Sequence, residues 1–160
     1  MTGVPDPAAR GGGELDGFRI AYLPPEVGDL VSDFASEWGD VNVTTRVWER
    51  QVEDGHRVDL RVHVLRGNQL STLAELCEFL AEYHERDPAD WLLIEFQHGE
   101  TSALIGAAEA FWLAGPGVAV DVLIDPERFT TDTLRAIMQR IAEAGPDRSV
   151  PVDPGYRITR

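Results

Sequence analysis

Two runs of alternating side chains, Val43 to Val52 and His56 to Arg66, flank Asp54-Gly55 and commit the middle of the chain to a long antiparallel hairpin. Asp-Gly suits such a turn because both residues tolerate the positive φ that a tight hairpin loop demands. Along the second run Val58, Leu60, Val62 and Val64 are expected to point inward, and Arg57, Asp59, Arg61 and His63 outward. A two-residue turn at Asp54-Gly55 sets Arg50 opposite Asp59, Trp48 opposite Arg61 and Arg46 opposite His63. The ion pair and the cation–π contact in that set are each worth under about 1 kcal/mol. A hairpin of this length carries an apolar face that other segments must cover.

Phe18 to Leu23 is a short strand closed by Pro24-Pro25. Glu26 to Trp38 has helical spacing, with Val27, Leu30, Val31, Phe34 and Trp38 on one stripe and Glu26, Asp29, Asp33 and Glu37 on another. Asn68 to Arg86 is the next helix. Thr72 and Glu75 make a capping box, Leu73, Leu76, Cys77, Leu80 and Tyr83 line one face, and Asp87-Pro88 ends it. Trp91 to Gln97 is a strand. Ser102 to Leu113 is Ala-rich, yet Phe111 and Trp112 lead into Gly115-Pro116-Gly117 and alternating Val118, Val120 and Val122, which reads as strand, turn, strand. Thr130 to Ala144 is the last helix, stapled by Phe129 onto Leu134, with Leu134, Ile137, Met138 and Ile141 facing the core and Gly145-Pro146 as its stop.

This order predicts an α+β fold, a largely antiparallel sheet of about six strands with two or three helices packed mainly on one face. With 160 residues and 43% apolar content the chain supplies one ordinary core. The expected organisation is a disordered N-terminal lead over residues 1–17, a single domain over 18–144 and a flexible tail over 145–160. The stretch with Gly106, Ala110 and Trp112, then Val118 to Asp125, Phe129 and the helix Thr131 to Ile141, resembles the C-terminal unit of small bacterial α+β domains. Some lipoproteins and anti-sigma-factor sensor domains carry such units. The likeness covers about a quarter of the chain and implies the fold of that unit alone.

The net charge is −14 and every one of the 14 basic residues is arginine. Without lysine there is no Schiff-base nucleophile and no lysine to complete a phosphate-binding loop. A chain this acidic is repelled by phosphate backbones, so neither nucleic acid nor an anionic membrane is an expected partner. The single cysteine, Cys77, leaves no intramolecular disulfide and no cysteine zinc site. No apolar run reaches the roughly 20 residues that span a bilayer, and the Gly-, Pro- and Ala-rich start lacks the layout of an export signal. The expected location is cytoplasmic.

His56, His63, His84 and His98 are scattered, with no pair at the spacing that puts two ligands on one helical face. No metal and no cofactor is therefore expected. Glu95 and Asp121 lie inside apolar strands, where alternation assigns them to the solvated face. Cys77 is read as packing, and Trp38, Trp48, Trp91 and Trp112 as core anchors. The strongest constellation is electrostatic: Arg46, Arg50, Arg57, Arg61 and Arg66 share one hairpin, while carboxylates concentrate over Glu26–Asp40 and Glu75–Glu85. Such bipolar charge suits recognition of a partner.

The expected function is that of a non-enzymatic protein-interaction or accessory factor, chaperone-like or immunity-type. Its partner is another protein or a second copy of the chain, met by Arg46, Trp48, Arg50, Arg57, Arg61 and His63. One alternative is a small-molecule-binding domain or small enzyme, with His63, His98 or Glu95 in a pocket between sheet and helices. Another is a homodimeric structural module built on an open sheet face.

Overall fold

The computed structural model describes residues 11–144, which form ten strands in two sheets and two α-helices. β1 (Gly13–Leu15) and β2 (Phe18–Ile20) form a hairpin, and β3 (Leu30–Trp38), β4 (Val41–Val52) and β5 (Gly55–Arg66) form a meander. α1 (Leu73–Tyr83) and a 3-10 turn (Pro88–Asp90) follow. A second meander comprises β6 (Ile94–His98), β7 (Thr101–Ile105), β8 (Glu109–Gly115) and β9 (Val118–Ile124), before α2 (Thr131–Met138) and β10 (Ile141–Glu143). β9 returns to pair with β5, giving one seven-stranded antiparallel sheet in the order β3-β4-β5-β9-β8-β7-β6. β1, β2 and β10 make a separate three-stranded sheet. The α+β class with antiparallel pairing holds, with a larger sheet than the sequence suggests.

The two helices lie on opposite faces of the large sheet, and not mainly on one. α1 carries the chain from the central strand β5 to the far edge at β6. Its Leu76, Phe79 and Leu80 pack on Val43, Leu65, Phe111 and Ala119. On the other face α2 and the small sheet bury Phe18, Ile20, Leu134, Ile137 and Ile141 against Trp48, Leu60, Val62, Trp112 and Val122. Central strands covered on both sides read as near-continuous apolar runs, as Val118–Ile124 does.

α1 begins as its sequence requires. Thr72 Oγ1 accepts from the Glu75 backbone N–H at 3.0 Å, and the Glu75 carboxylate accepts from the Thr72 N–H at 3.1 Å. α2 is capped by Thr130 but ends at Met138, earlier than expected, and Ile141 to Glu143 join the small sheet. Gly145-Pro146 and the tail over 145–160 lie outside the described residues, as do residues 1–10 of the lead.

Residues 30–38 form a strand, where the spacing predicts a helix. A Gly39-Asp40 loop with φ of +58° and +67° closes β3 onto β4, so that Trp38 pairs with Val41. Nine successive ladder positions then satisfy backbone groups that a helix would have satisfied internally. Gly28, just before β3, crosses β4 so closely that a Cβ there would sit 2.0 Å from the Glu49 carbonyl oxygen. The lead-in is also shorter than expected, since Asp16-Gly17, both at positive φ, turn β1 onto β2 and bury Leu15.

The register of the central hairpin differs as well. Val52 pairs with Gly55, which makes Glu53-Asp54 the loop and places Arg50 opposite Arg57. A bulge between Trp48 and Glu49 then shifts the ladder, so Trp48 faces Leu60 and Arg46 faces Val62. Asp59 is the extra residue, and the two sides of the strand exchange there. Val58 therefore falls on the side of Arg61. Asp59 turns inward to complete burial.

Candidate functional site

The hairpin arginines do not share a face. Arg46 makes a paired contact to Asp33 at 2.8 and 2.9 Å and donates to the Gly12 carbonyl at 2.7 Å. That pairing holds the Asp33 carboxyl below its usual range. Arg50 bonds Asp59 and lies 3.4 Å from Asp125, and Arg66 bonds Asp16 at 2.9 Å. Trp48 and His63 are buried, while Arg57 and Arg61 are exposed. Of the six expected contact residues, the structure leaves Arg57 and Arg61 exposed and turns the others into internal links.

What lies open is β3. It is the end strand of the large sheet, nine residues long, and among the described residues nothing pairs with its outer edge. Leu30, Val31, Phe34 and Trp38 are exposed on it, with Phe34 at 57% and Val31 at 50%. Trp38 rests edge-on against Phe79 and Tyr83 of α1, at 5.4 and 5.7 Å between ring centroids, so one end of the apolar strip is braced. Asp29, Asp33, Glu37 and Asp40 are exposed too, Asp33 and Glu37 on the face of Val31 and opposite that of Phe34 and Trp38.

A second feature is buried. Strand register sets Thr45, His63 and Asp121 side by side on the α1 face of β4, β5 and β9. Above them His84, the C-cap of α1, places Nε2 3.1 Å from Asp121 Oδ2 and 3.1 Å from Glu109 Oε2. Arg86, turned back by Glu85 at φ +54°, donates to Glu109 Oε1 at 3.0 Å. Thr45 Oγ1 meets His63 Nδ1 at 2.6 Å. Asp121 has no accessible surface, which corrects its expected place on the solvated face, whereas Glu95 is exposed as alternation implies. Helix α1 covers a face that the alternation rule left to water.

Burial first, and then the neighbouring charges of His84 and Arg61, push His63 down to about 3. Burial also opposes a charged His84, but the Asp121 and Glu109 carboxylates outweigh it and raise His84 to about 9. Burial and the Glu109 charge push the Asp121 carboxyl well above its ordinary value, while His84 and Arg86 overcome burial at Glu109 and lower it. His84 keeps its proton in the folded chain above the ordinary value of 6.5, so its contribution to stability is complete below 6.5 and is lost as pH rises through about 9. The raised Asp121 acts in the same direction. His63 has the opposite sign, since its contribution is present above 6.5 and lost as pH falls toward 3. Urea midpoints measured in EDTA are thus expected to fall from pH 6.5 to 9, and less steeply in His84→Gln. A wild-type profile that is flat or rising there would contradict this electrostatic account.

His98 bridges the Met138 and Ile141 carbonyls at 2.9 and 3.1 Å and stacks on Trp112 at 4.0 Å, tying β6 to the end of α2. His56 is exposed near the hairpin loop. The cleft beside β8 and the 3-10 turn, about 450 Å³, is open to solvent and lined by Arg61, Arg86, Trp91, Glu109 and Leu123 among others. Among the described residues no helix is long and apolar enough to cross a membrane.

No family model, curated protein or solved structure matches the chain. Sequence reasoning missed both features, though each left a trace. Gly39-Asp40 between two apolar runs is a hairpin signal in its own right. Asp121 interrupts the otherwise apolar run Val118–Ile124, and the apolar Ala119 and Leu123 on its own side mark a strand covered on both faces.

Proposed function

We propose that this protein is a non-enzymatic interaction factor that adds an extended segment of a basic protein partner to its sheet along β3. The observation that carries this reading is the exposed outer edge of β3, with Val31, Phe34 and Trp38 flanked by carboxylates. Sheet edges are usually blunted by lysine, proline, a bulge or a very short strand, because unpaired N–H and C=O groups recruit other strands. Across its nine residues β3 has no lysine, proline or bulge, and of its two charged side chains Asp33 is already tied to Arg46. Main-chain bonds to such an edge supply affinity, and the side chains beside it supply selectivity.

The partner's chemistry follows from charge. A second copy would bring together two chains each carrying −14, whereas a Lys- or Arg-rich strand meets Asp29, Glu37 and Asp40 favourably. The test places a photo-crosslinking residue at Phe34 in the native host, with Glu53 at the hairpin loop as control. A discrete adduct from position 34 alone is expected, with a basic segment as the attached peptide. Phe34→Glu should weaken binding of that partner by about 2 kcal/mol, or roughly 30-fold in Kd, as loss of an aromatic anchor does. Adducts formed equally from both positions, or an adduct with a second copy of the chain, would overturn the reading.

A further inference from the structure

We propose that His63, His84, Asp121 and Glu109 form a binding site for a first-row divalent cation of the Zn2+ class, enclosed between β5, the end of α1, β8 and β9. The inference is independent of the edge-strand reading. One ring nitrogen of each histidine and a carboxylate oxygen of Asp121 lie within 4.8 Å of one another. Glu109 Oε2 adds a fourth donor, 3.1 Å from His84 Nε2. Ligand atoms about 2.0–2.2 Å from a tetrahedral zinc stand roughly 3.3 Å apart, close to the spacing of His84 from both carboxylates. His63 closes the set, with a ring nitrogen within 4.8 Å of the His84 and Asp121 donors.

Two observations separate this cluster from a simple buried ion pair. His63 Nε2 and Asp121 Oδ1 are buried without a hydrogen-bond partner, and each belongs to a residue of the set. Buried polar atoms left unsatisfied are costly, so two within one cluster call for a shared partner. Coordination by a cation satisfies them together. The outer contacts are also those of a metal site. Thr45 engages Nδ1 of His63 and leaves Nε2 as the ligand atom, and Arg86 engages one oxygen of Glu109 and leaves the other. Two imidazoles with carboxylate oxygens favour Zn2+ and its neighbours over the hard, all-oxygen cations Mg2+ and Ca2+.

The test titrates the EDTA-treated full chain with Co2+, whose visible spectrum reports low-coordinate nitrogen and oxygen ligation. Saturable bands at equimolar Co2+, displaced by Zn2+, are expected from the wild type. His63→Gln and Asp121→Asn should abolish them, Thr45→Val should weaken binding about tenfold by freeing the His63 ring, and His56→Gln should change nothing. Circular dichroism establishes that each variant is folded. Should the two ligand variants unfold, the wild-type titration and Thr45→Val decide alone. No saturable spectrum in the wild type, or Co2+ affinity unchanged by Thr45→Val, would overturn the proposal.

Discussion

Replacing Asp59 with alanine is expected to cost about 3 kcal/mol of stability, the lower end of the range for breaking a buried ion pair. Asp59 has no accessible surface and answers three donors, the Arg50 guanidinium, Arg128 Nη1 at 3.2 Å and the Gly28 N–H at 2.8 Å. Removing the carboxylate leaves Arg50 with Asp125 at 3.4 Å and Arg128 with the Glu26 carbonyl at 2.9 Å. Both guanidiniums reach water, at 22% and 29% side-chain exposure, which keeps the loss from being larger. Asp59→Asn retains an acceptor for Gly28 and should lose less. Arg57→Ala, which ends an exposed contact of 3.8 Å to Glu127, should lose almost nothing. Urea denaturation of the three variants checks the ranking. Equal midpoints for Asp59→Ala and Arg57→Ala would show that the bulge and its ion network do not hold the hairpin to the segment before β3.

Trp48→Ala should be the more damaging change, at about 3–5 kcal/mol, as for other large-to-small replacements of buried aromatics. Trp48 is 2% exposed and packs in the core cluster that joins the large sheet to the small sheet and α2. A cavity of that size cannot close without moving β1 and β2, whose own strands are three residues each. Trp48→Phe should recover much of the loss. The measurement also separates two roles. A tryptophan reserved for a partner would leave the midpoint unchanged on truncation and weaken binding instead.

Both experiments concern residues that the sequence points to for a different reason. Arg50, Trp48 and Asp59 look like an exposed ladder when alternation is carried unbroken from Val64 to Arg57. One bulge exchanges the two sides of the strand, and a covering helix removes the other face from water. The buried His84–Glu109–Asp121 cluster is hidden for a related cause. Its members come from a helix end and two strands, so no spacing along the chain links them. β3 shows a third cause, because its apolar residues fit a helical stripe and a half-exposed strand alike. Only pairing with β4 and the Gly39-Asp40 turn choose between the two.

The sequence by itself determined what local chemistry settles. That comprises the β4–β5 hairpin, the Thr72–Glu75 cap of α1, the strand, turn and strand around Pro116-Gly117, the Thr130 start of α2, and the exclusion of lysine chemistry. Each rests on residues within a few positions of one another, whose turn and capping energies act before any tertiary contact forms. Tertiary structure alone decided the helices' opposite faces, the open edge at β3 and the convergence of two histidines with two carboxylates. Those depend on which strand pairs with which. β5 meets β9 across more than fifty residues of chain, and the burial that selects this pairing belongs to the assembled core and to no segment of it.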